Sequence, residues 1–256
     1  MAKRIAVISD IHGNAQALEA VFSDIGKNNI DSIICLGDIV TFGPSPRETI
    51  QMIQDFNCSC IMGNHEEALL DPENSSDYEI DGDALQKSVY WCLNKLQDKD
   101  LAFIKSFKKT LLVTLGDEVN MLCYHGSPNS TIRGILPTSA PEEIDSLIHF
   151  SNSTKIAIGG HTHFQMYRKH KEYILLNAGS VGCAFLNPFL SPPSPSYLPT
   201  AEYAIIELLQ KNISVELKSI EFDFLKFQTL ILASDIPLKG WWEREFNRIN
   251  EVNNFD

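Results

Sequence analysis

Residues 156–163 read Ile-Ala-Ile-Gly-Gly-His-Thr-His, an apolar run that passes straight into two glycines and two histidines. Such a run is a buried strand that empties into a site. The strand supplies rigidity, Gly159 and Gly160 let the backbone turn without a Cβ clash, and His161 and His163 then stand two residues apart without bulk between them. Two imidazoles so placed suit metal ligation, although a His-x-His pair also arises by chance on surfaces. The pair carries weight only if the chain supplies partners.

Other strand ends supply them. Residues 5–9 form an aperiodic apolar run, the pattern of a central strand, and end in Asp10-Ile11-His12-Gly13-Asn14. Residues two apart on extended backbone share a face, so Asp10 and His12 converge where open α/β sheets place their chemistry; helix capping is the plainer alternative for them. Apolar Ala17, Leu18, Val21, Phe22 and Ile25 then recur at helical spacing over 14–28, with Asn14 as N-cap. A second strand, 32–36, empties into Gly37-Asp38. Gly43, Pro44 and Pro46 break the chain before a helix over 47–56. A third strand, 58–62, ends in Gly63-Asn64-His65-Glu66. A hairpin over 110–115 and 118–124, turned at Gly116-Asp117, delivers His125-Gly126, with Arg133 in the loop beyond. Turn chemistry explains one such strand end but is a poor account of so many.

The remaining segments are quieter. The acidic, Ser-rich stretch 71–83 reads as an exposed loop, and helices are predicted over 83–96, 99–107 and 141–149. Strands at 164–169 and 173–176 lead to Asn177-Ala178-Gly179-Ser180-Val181-Gly182, which either lines the floor of a pocket with backbone groups or is an ordinary turn. The proline-rich segment 187–200 reads as a rim loop or a dimer contact. Residues 201–209 and 213–219 are expected to close the second sheet as antiparallel strands. The tail, 223–254, reads as helical with a break near Pro237 and Gly240, its Trp241, Trp242 and Phe246 packing on the body.

Composition narrows the function classes. A chain of 256 residues fits one domain spanning 1–256. The formal charge of −12 argues against a long nucleic acid as partner, since that usually needs a basic stripe, but not against small phosphates at a metal site. No apolar run is long enough for a membrane span, and Lys3-Arg4 is followed by too short an apolar run for a signal peptide, so a cytoplasmic location is expected. The six cysteines form no CxxC pair and read as reduced thiols.

Asp10-x-His12, Gly37-Asp38, Gly63-Asn64-His65-Glu66, His125-Gly126 and Gly160-His161-x-His163 together resemble the five ordered motifs of the calcineurin-like metallophosphoesterase superfamily, and the Gly179–Gly182 turn is similar to one in its small bacterial and archaeal phosphodiesterase branch. His149 and His170 lie outside the motifs and are expected at the surface. The resemblance implies a four-layer αββα sandwich of two mixed sheets flanked by helices. It also implies two divalent metal ions, Mn²⁺ first, with Fe, Zn²⁺, Ni²⁺ or Co²⁺ compatible with the same nitrogen and oxygen donors. Asp38 would bridge them; Asp10, His12 and His163 would complete one site, and Asn64, His125 and His161 the other. A hydroxide shared by the ions would attack phosphorus, with His65 beside the phosphate as general acid or electrostatic stabiliser. Asn14 and Arg133 are candidates for contacts to substrate oxygens, Arg133 being equally well a plain surface residue. Homo-oligomers are common in the family and are an expectation for this chain on that ground alone.

The substrate reading rests on what is missing. Protein phosphatases of the superfamily carry Asp-Arg-Gly after the bridging aspartate and an arginine before Gly-Asn-His, where this chain has Thr41-Phe42-Gly43 and Met62. A phosphomonoester dianion gains most from arginine clamps, so a small phosphodiester, such as a nucleotide, is expected. A phosphomonoesterase or dinucleoside polyphosphate hydrolase on the same site, and a metal-free scaffold of the same fold, are the rival readings.

Overall fold

The structure, a computed structural model, describes residues 3–116, 119–151, 153–186, 197–209 and 212–253. Its core is built from strands whose alternate residues serve two different layers. In β1 (Arg4–Ile8), Ile5 and Val7 enter one apolar cluster while Ala6 and Ile8 enter another. That split is the period-two geometry of a strand buried on both faces, and it explains why the run shows no amphipathic alternation.

β1 pairs in parallel with β2 (Ser32–Cys35), which pairs in parallel with the short β3 (Ser59–Cys60). On its other edge β1 meets β9 (Thr200–Leu209) antiparallel, and β10 (Asn212–Glu221) closes that side, giving the order β10-β9-β1-β2-β3. The second sheet has the order β4-β5-β6-β8-β7 and comprises β4 (Leu111–Gly116), β5 (Val119–Cys123), β6 (Thr154–Gly159), β7 (Met166–His170) and β8 (Tyr173–Asn177). Its central β5-β6-β8 pairings are parallel and its outer pairings antiparallel. Ile5, Val7, Ile34 and Leu36 from the first sheet pack with Met121, Cys123, Ile156 and Ile158 from the second, so the sheets face each other.

Helices cover the outer faces. α1 (Ala15–Ile25), α2 (Pro46–Asp55), α3 (Asn64–Leu70), α4 (Asp83–Lys95) and α5 (Asp98–Lys105) contribute to the cluster behind β1 and β2, and α6 (Pro141–Leu147) packs behind β6 and β8. The layers are those of the expected αββα sandwich. The tail forms α7 (Phe224–Ala233) and α8 (Lys239–Asn253), separated by a break that includes Pro237. Trp242 is fully buried there against Phe227 and Phe246, and its indole N–H donates to the carbonyl oxygen of Phe42 at 2.7 Å. The tail is thereby tied to the loop that follows β2. No helix among the described residues is long and apolar enough to cross a membrane.

Four expectations change. Strands 201–209 and 213–219 join the first sheet and not the second. β9 is buried along most of its length beside β1, and Arg4 reaches across to Glu207 at 3.1 Å and Glu216 at 2.8 Å, a lateral register that local patterning does not encode. The stretch 71–83 is more than an exposed loop, because Pro72–Tyr78 winds into a 3₁₀ helix and Ser75 and Ile80 are buried. His170 is buried and pairs with Asp145 at 2.8 Å, whereas His149 is exposed as expected. The strand expected over 58–62 shrinks to two residues, with Ile61 making a single bridge to Lys108. Residues 187–196, most of the proline-rich segment, and the turn residue Asp117 lie outside the described residues.

Candidate metal centre

The C-terminal ends of β1, β2, β5 and β6 open on one side of the molecule, and the loops that leave them carry the candidate donors. Those loops are backbone-strained. Asp10, His12, Asp38, His161 and His163 all adopt φ between 49° and 66°, a left-handed conformation that side chains with a Cβ seldom occupy. Each such residue costs on the order of 1 kcal/mol, and persists only where its surroundings over-determine it. Two motif glycines make the close approach possible. A Cβ on Gly63 would fall 2.1 Å from Asp38 Oδ1, and one on Gly160 would fall 2.6 Å from Asp10 Oδ2.

Donor atoms of Asp10, His12, Asp38 and His163 all lie within 4.8 Å of one another, and all four residues are buried. His12 Nε2 is 3.0 Å from His163 Nε2 and 3.8 Å from Asp38 Oδ2, while His163 Nε2 is 3.3 Å from Asp10 Oδ1. A second group continues from the same oxygen of Asp38. His125 Nε2 is 3.3 Å from Asp38 Oδ2 and 3.0 Å from Asn64 Oδ1, and that amide oxygen is 3.2 Å from His161 Nδ1. Asp38 Oδ2 therefore lies between two sets of donors. His65 stands at their edge, its Nε2 4.0 Å from Asp38 Oδ2 and its Nδ1 2.7 Å from the Thr41 hydroxyl.

The donors fit divalent cations. His163 Nδ1 lies 2.7 Å from the Cys183 carbonyl and His125 Nδ1 lies 2.8 Å from that of Leu36, so each ring gives its Nδ1 hydrogen to the backbone and turns Nε2 inward. Lone pairs and carboxylate oxygens that converge this closely repel unless positive charge sits among them. In the metal-free protein, protons supply it. Burial alone would lower the pKa of His125, but the Asp38 carboxylate overrides it and raises it to about 9; Asp10 likewise outweighs burial at His163 and holds it well above the ordinary imidazole value, and burial pushes His12 well down. A cation entering must displace the protons on His125 and His163. Metal affinity is accordingly expected to rise with pH through the range to about 9 where His125 titrates, by about tenfold per pH unit for each proton displaced, with proton release on binding. Calorimetry with Mn²⁺ in buffers of different ionisation enthalpy reads both effects; an affinity flat from pH 6 to pH 9 would overturn this account.

Residues outside the motif roles hold the donors in place. Glu66, fully buried, accepts the backbone N–H groups of Asp38, Ile39 and Gly63 at 2.7, 2.8 and 3.0 Å, which ties the loop after β2 to the start of α3. Its bond from the Gly63 N–H is half of a capping box, and because Gly63 has no side chain for the other half the sequence gives little signal of it. The Asn64 amide donates to the Tyr78 carbonyl at 2.9 Å, so its oxygen is turned towards His125 and His161, and Glu79 Oε2 lies 3.6 Å from His161 Nε2. The acidic stretch thus supports the site, a role that no local pattern signals. The Gly179–Gly182 turn spends its groups on the end of β1: Ser180 Oγ and the N–H of Gly182 donate to the Asp10 carbonyl, and the Val181 N–H to that of Ser9.

The two expected substrate contacts fare differently from the donors. Asn14 is buried, its oxygen caps α1 through the Ala17 N–H, and its amide donates to the Gly182 carbonyl at 3.3 Å, so its side chain is committed to the fold. Arg133 is exposed in the loop after β5, and its guanidinium makes no hydrogen bond or ion pair with the described residues. Beside His125 opens a cavity of about 380 Å³ lined by Glu67, Tyr78, Ser130 and Thr131 among others.

A family model, calcineurin-like phosphoesterase, matches residues 3–165, the segment that carries every candidate donor. The chain belongs to the calcineurin-like phosphoesterase family. Membership implies a hydrolase acting on phosphoesters with the help of metal. The chain is 28% identical over 238 residues to the uncharacterized protein MJ0912 of Methanocaldococcus jannaschii, covering 91% of this chain and 93% of that one. It is similar to a crystal structure of a metallophosphoesterase from Sphaerobacter thermophilus, with 25% identity, a TM-score of 0.68 and coverage of 90% and 93%. The hypothetical protein PH1004 from Pyrococcus horikoshii shares the fold, with 20% identity, a TM-score of 0.74 and coverage of 92% and 96%.

Proposed function

We propose that this protein is a binuclear metal-dependent phosphodiesterase acting on a small substrate. The observation that carries the reading is the position of Asp38 Oδ2 between two donor sets, 3.8 Å from His12 Nε2 on one side and 3.3 Å from His125 Nε2 on the other. Asp10, His12 and His163 would hold one cation with Asp38, and Asn64, His125 and His161 the second, Mn²⁺ being the first choice for such mixed nitrogen and oxygen donors. When bound, such ions activate water at neutral pH and neutralise charge on the phosphoryl oxygens. The chain's own residues do the rest. Glu66 fixes the backbone of Asp38, the Leu36 and Cys183 carbonyls orient His125 and His163, and His65, at the edge of the cluster, would face the phosphate.

No lysine or arginine among the described residues donates into the cluster, which favours a singly charged diester over a monoester dianion. Protein stripped with chelator and resupplied with Mn²⁺ is expected to hydrolyse bis-p-nitrophenyl phosphate with a higher kcat/KM than p-nitrophenyl phosphate, and to lose both activities on stripping. A faster monoester reaction would replace this reading with the phosphomonoesterase one.

A further inference from the structure

An aromatic wall stands beside the candidate centre, and no role described so far uses it. The Phe42 ring centroid lies 4.8 Å from that of His12, 5.0 Å from that of His65 and 6.2 Å from that of Trp241. Phe185 stacks on His163 at 5.1 Å with the planes 11° apart. All three apolar rings keep part of their surface open to solvent. They flank the rings of the centre instead of closing over them.

The wall is built at a cost. Thr41 and Phe42 are consecutive left-handed residues, with φ of 68° and 55°, and for a bulky side chain that is a conformational outlier. Three contacts hold it: the Gly43 N–H donates to the Thr41 carbonyl, the Thr41 hydroxyl meets His65, and buried Trp242 donates to the Phe42 carbonyl. The last comes from α8, which also delivers Trp241. A strained turn and a separate C-terminal helix thus bring two partly exposed rings together, Phe42 beside His65 and Trp241 beside Phe42.

Resting on the phosphodiesterase reading, we propose that Phe42 and Trp241 form a stacking subsite for a nucleobase, so that the natural substrate is a nucleoside phosphodiester. A phosphate facing His65 puts its nearer ester arm against Phe42, and what that surface offers an arm is flat, uncharged ring. A base has a π-face whatever its identity, and stacking does not require positive charge, which suits a chain of formal charge −12.

The test uses the Mn²⁺-loaded full chain and compares kcat/KM for adenylyl adenosine with that for glycerophosphoethanolamine, a diester with no ring. Wild type is expected to prefer the dinucleotide. Trp241→Leu and Phe42→Leu are each expected to lower that preference about tenfold, chiefly through KM, and Trp241→Phe, which keeps a ring, to restore most of it. Metal content and thermal unfolding of each variant check that the centre and fold survive. A preference unmoved in both leucine variants overturns the subsite while leaving the phosphodiesterase intact. If wild type turns over neither diester, the phosphodiesterase reading fails, and equilibrium binding of cyclic AMP then decides the subsite: about tenfold weaker binding in Trp241→Leu supports it, and equal binding overturns it.

Discussion

Asp38→Ala is expected to abolish stoichiometric metal binding at both positions, and with it phosphodiester hydrolysis. Every other candidate donor belongs to one set, whereas Asp38 Oδ2 faces His12 on one side and His125 on the other. Losing it removes a ligand from each cation and also the negative charge that offsets their repulsion. The loss should exceed the roughly 10- to 100-fold drop in affinity that follows removal of an outer hydrogen-bond partner, because a direct anionic ligand is gone. His12→Ala, by contrast, touches one set and should spare part of the metal content. Elemental analysis of dialysed protein, with circular dichroism to verify the fold, separates the two cases. Two tightly held ions in Asp38→Ala would show that the bridge is assigned to the wrong residue.

That prediction was within reach of the sequence because the donors obey a local rule. Each candidate follows closely on an apolar strand or on Gly63, and strand runs such as Ile156–Ile158 are legible from composition alone. The order of sheets was not. β9 and β10 are expected in the second sheet, whereas β9 pairs with β1, about two hundred residues away, and carries β10 with it; what selects β1 includes the reach of Arg4 to Glu207 and Glu216, a lateral contact with no sequence period. The supporting residues were hidden for the same reason. Glu66 gives little signal as a cap and none as the brace of Asp38, 28 positions earlier, and Tyr78 acts on Asn64 through a carbonyl, which every residue has. Phe42 showed itself only as a departure from a motif. Its ring contacts with His12, His65 and Trp241 depend on a left-handed turn that a bulky residue gives no reason to expect.

His65→Ala should lower kcat by about 10²- to 10³-fold while leaving metal content unchanged, the size expected for one hydrogen-bond donor aimed at developing charge. Metal should stay because His65 sits 4.0 Å from Asp38 Oδ2, at the edge of the cluster, and is anchored on its other side by Thr41. The geometry also says which form acts. Burial lowers the His65 pKa to about 4 against the opposing pull of Asp38, so at neutral pH the ring carries a single hydrogen. The Thr41 hydroxyl, which also donates to the Val40 carbonyl, anchors the ring at Nδ1. With that hydrogen on Nε2, a neutral imidazole facing the phosphate would be a good donor and a poor acid, since full transfer would leave an imidazolate. The loss in His65→Ala should therefore be similar for a p-nitrophenyl ester and for an alkyl ester whose alkoxide leaves reluctantly. A true general acid would be missed far more by the alkyl ester, because p-nitrophenolate departs without a proton. Thr41→Val, which keeps shape but removes the hydroxyl that anchors the His65 ring, should reproduce part of the loss with both esters. An alkyl ester hit much harder than the aryl ester in His65→Ala would assign His65 as the proton donor instead.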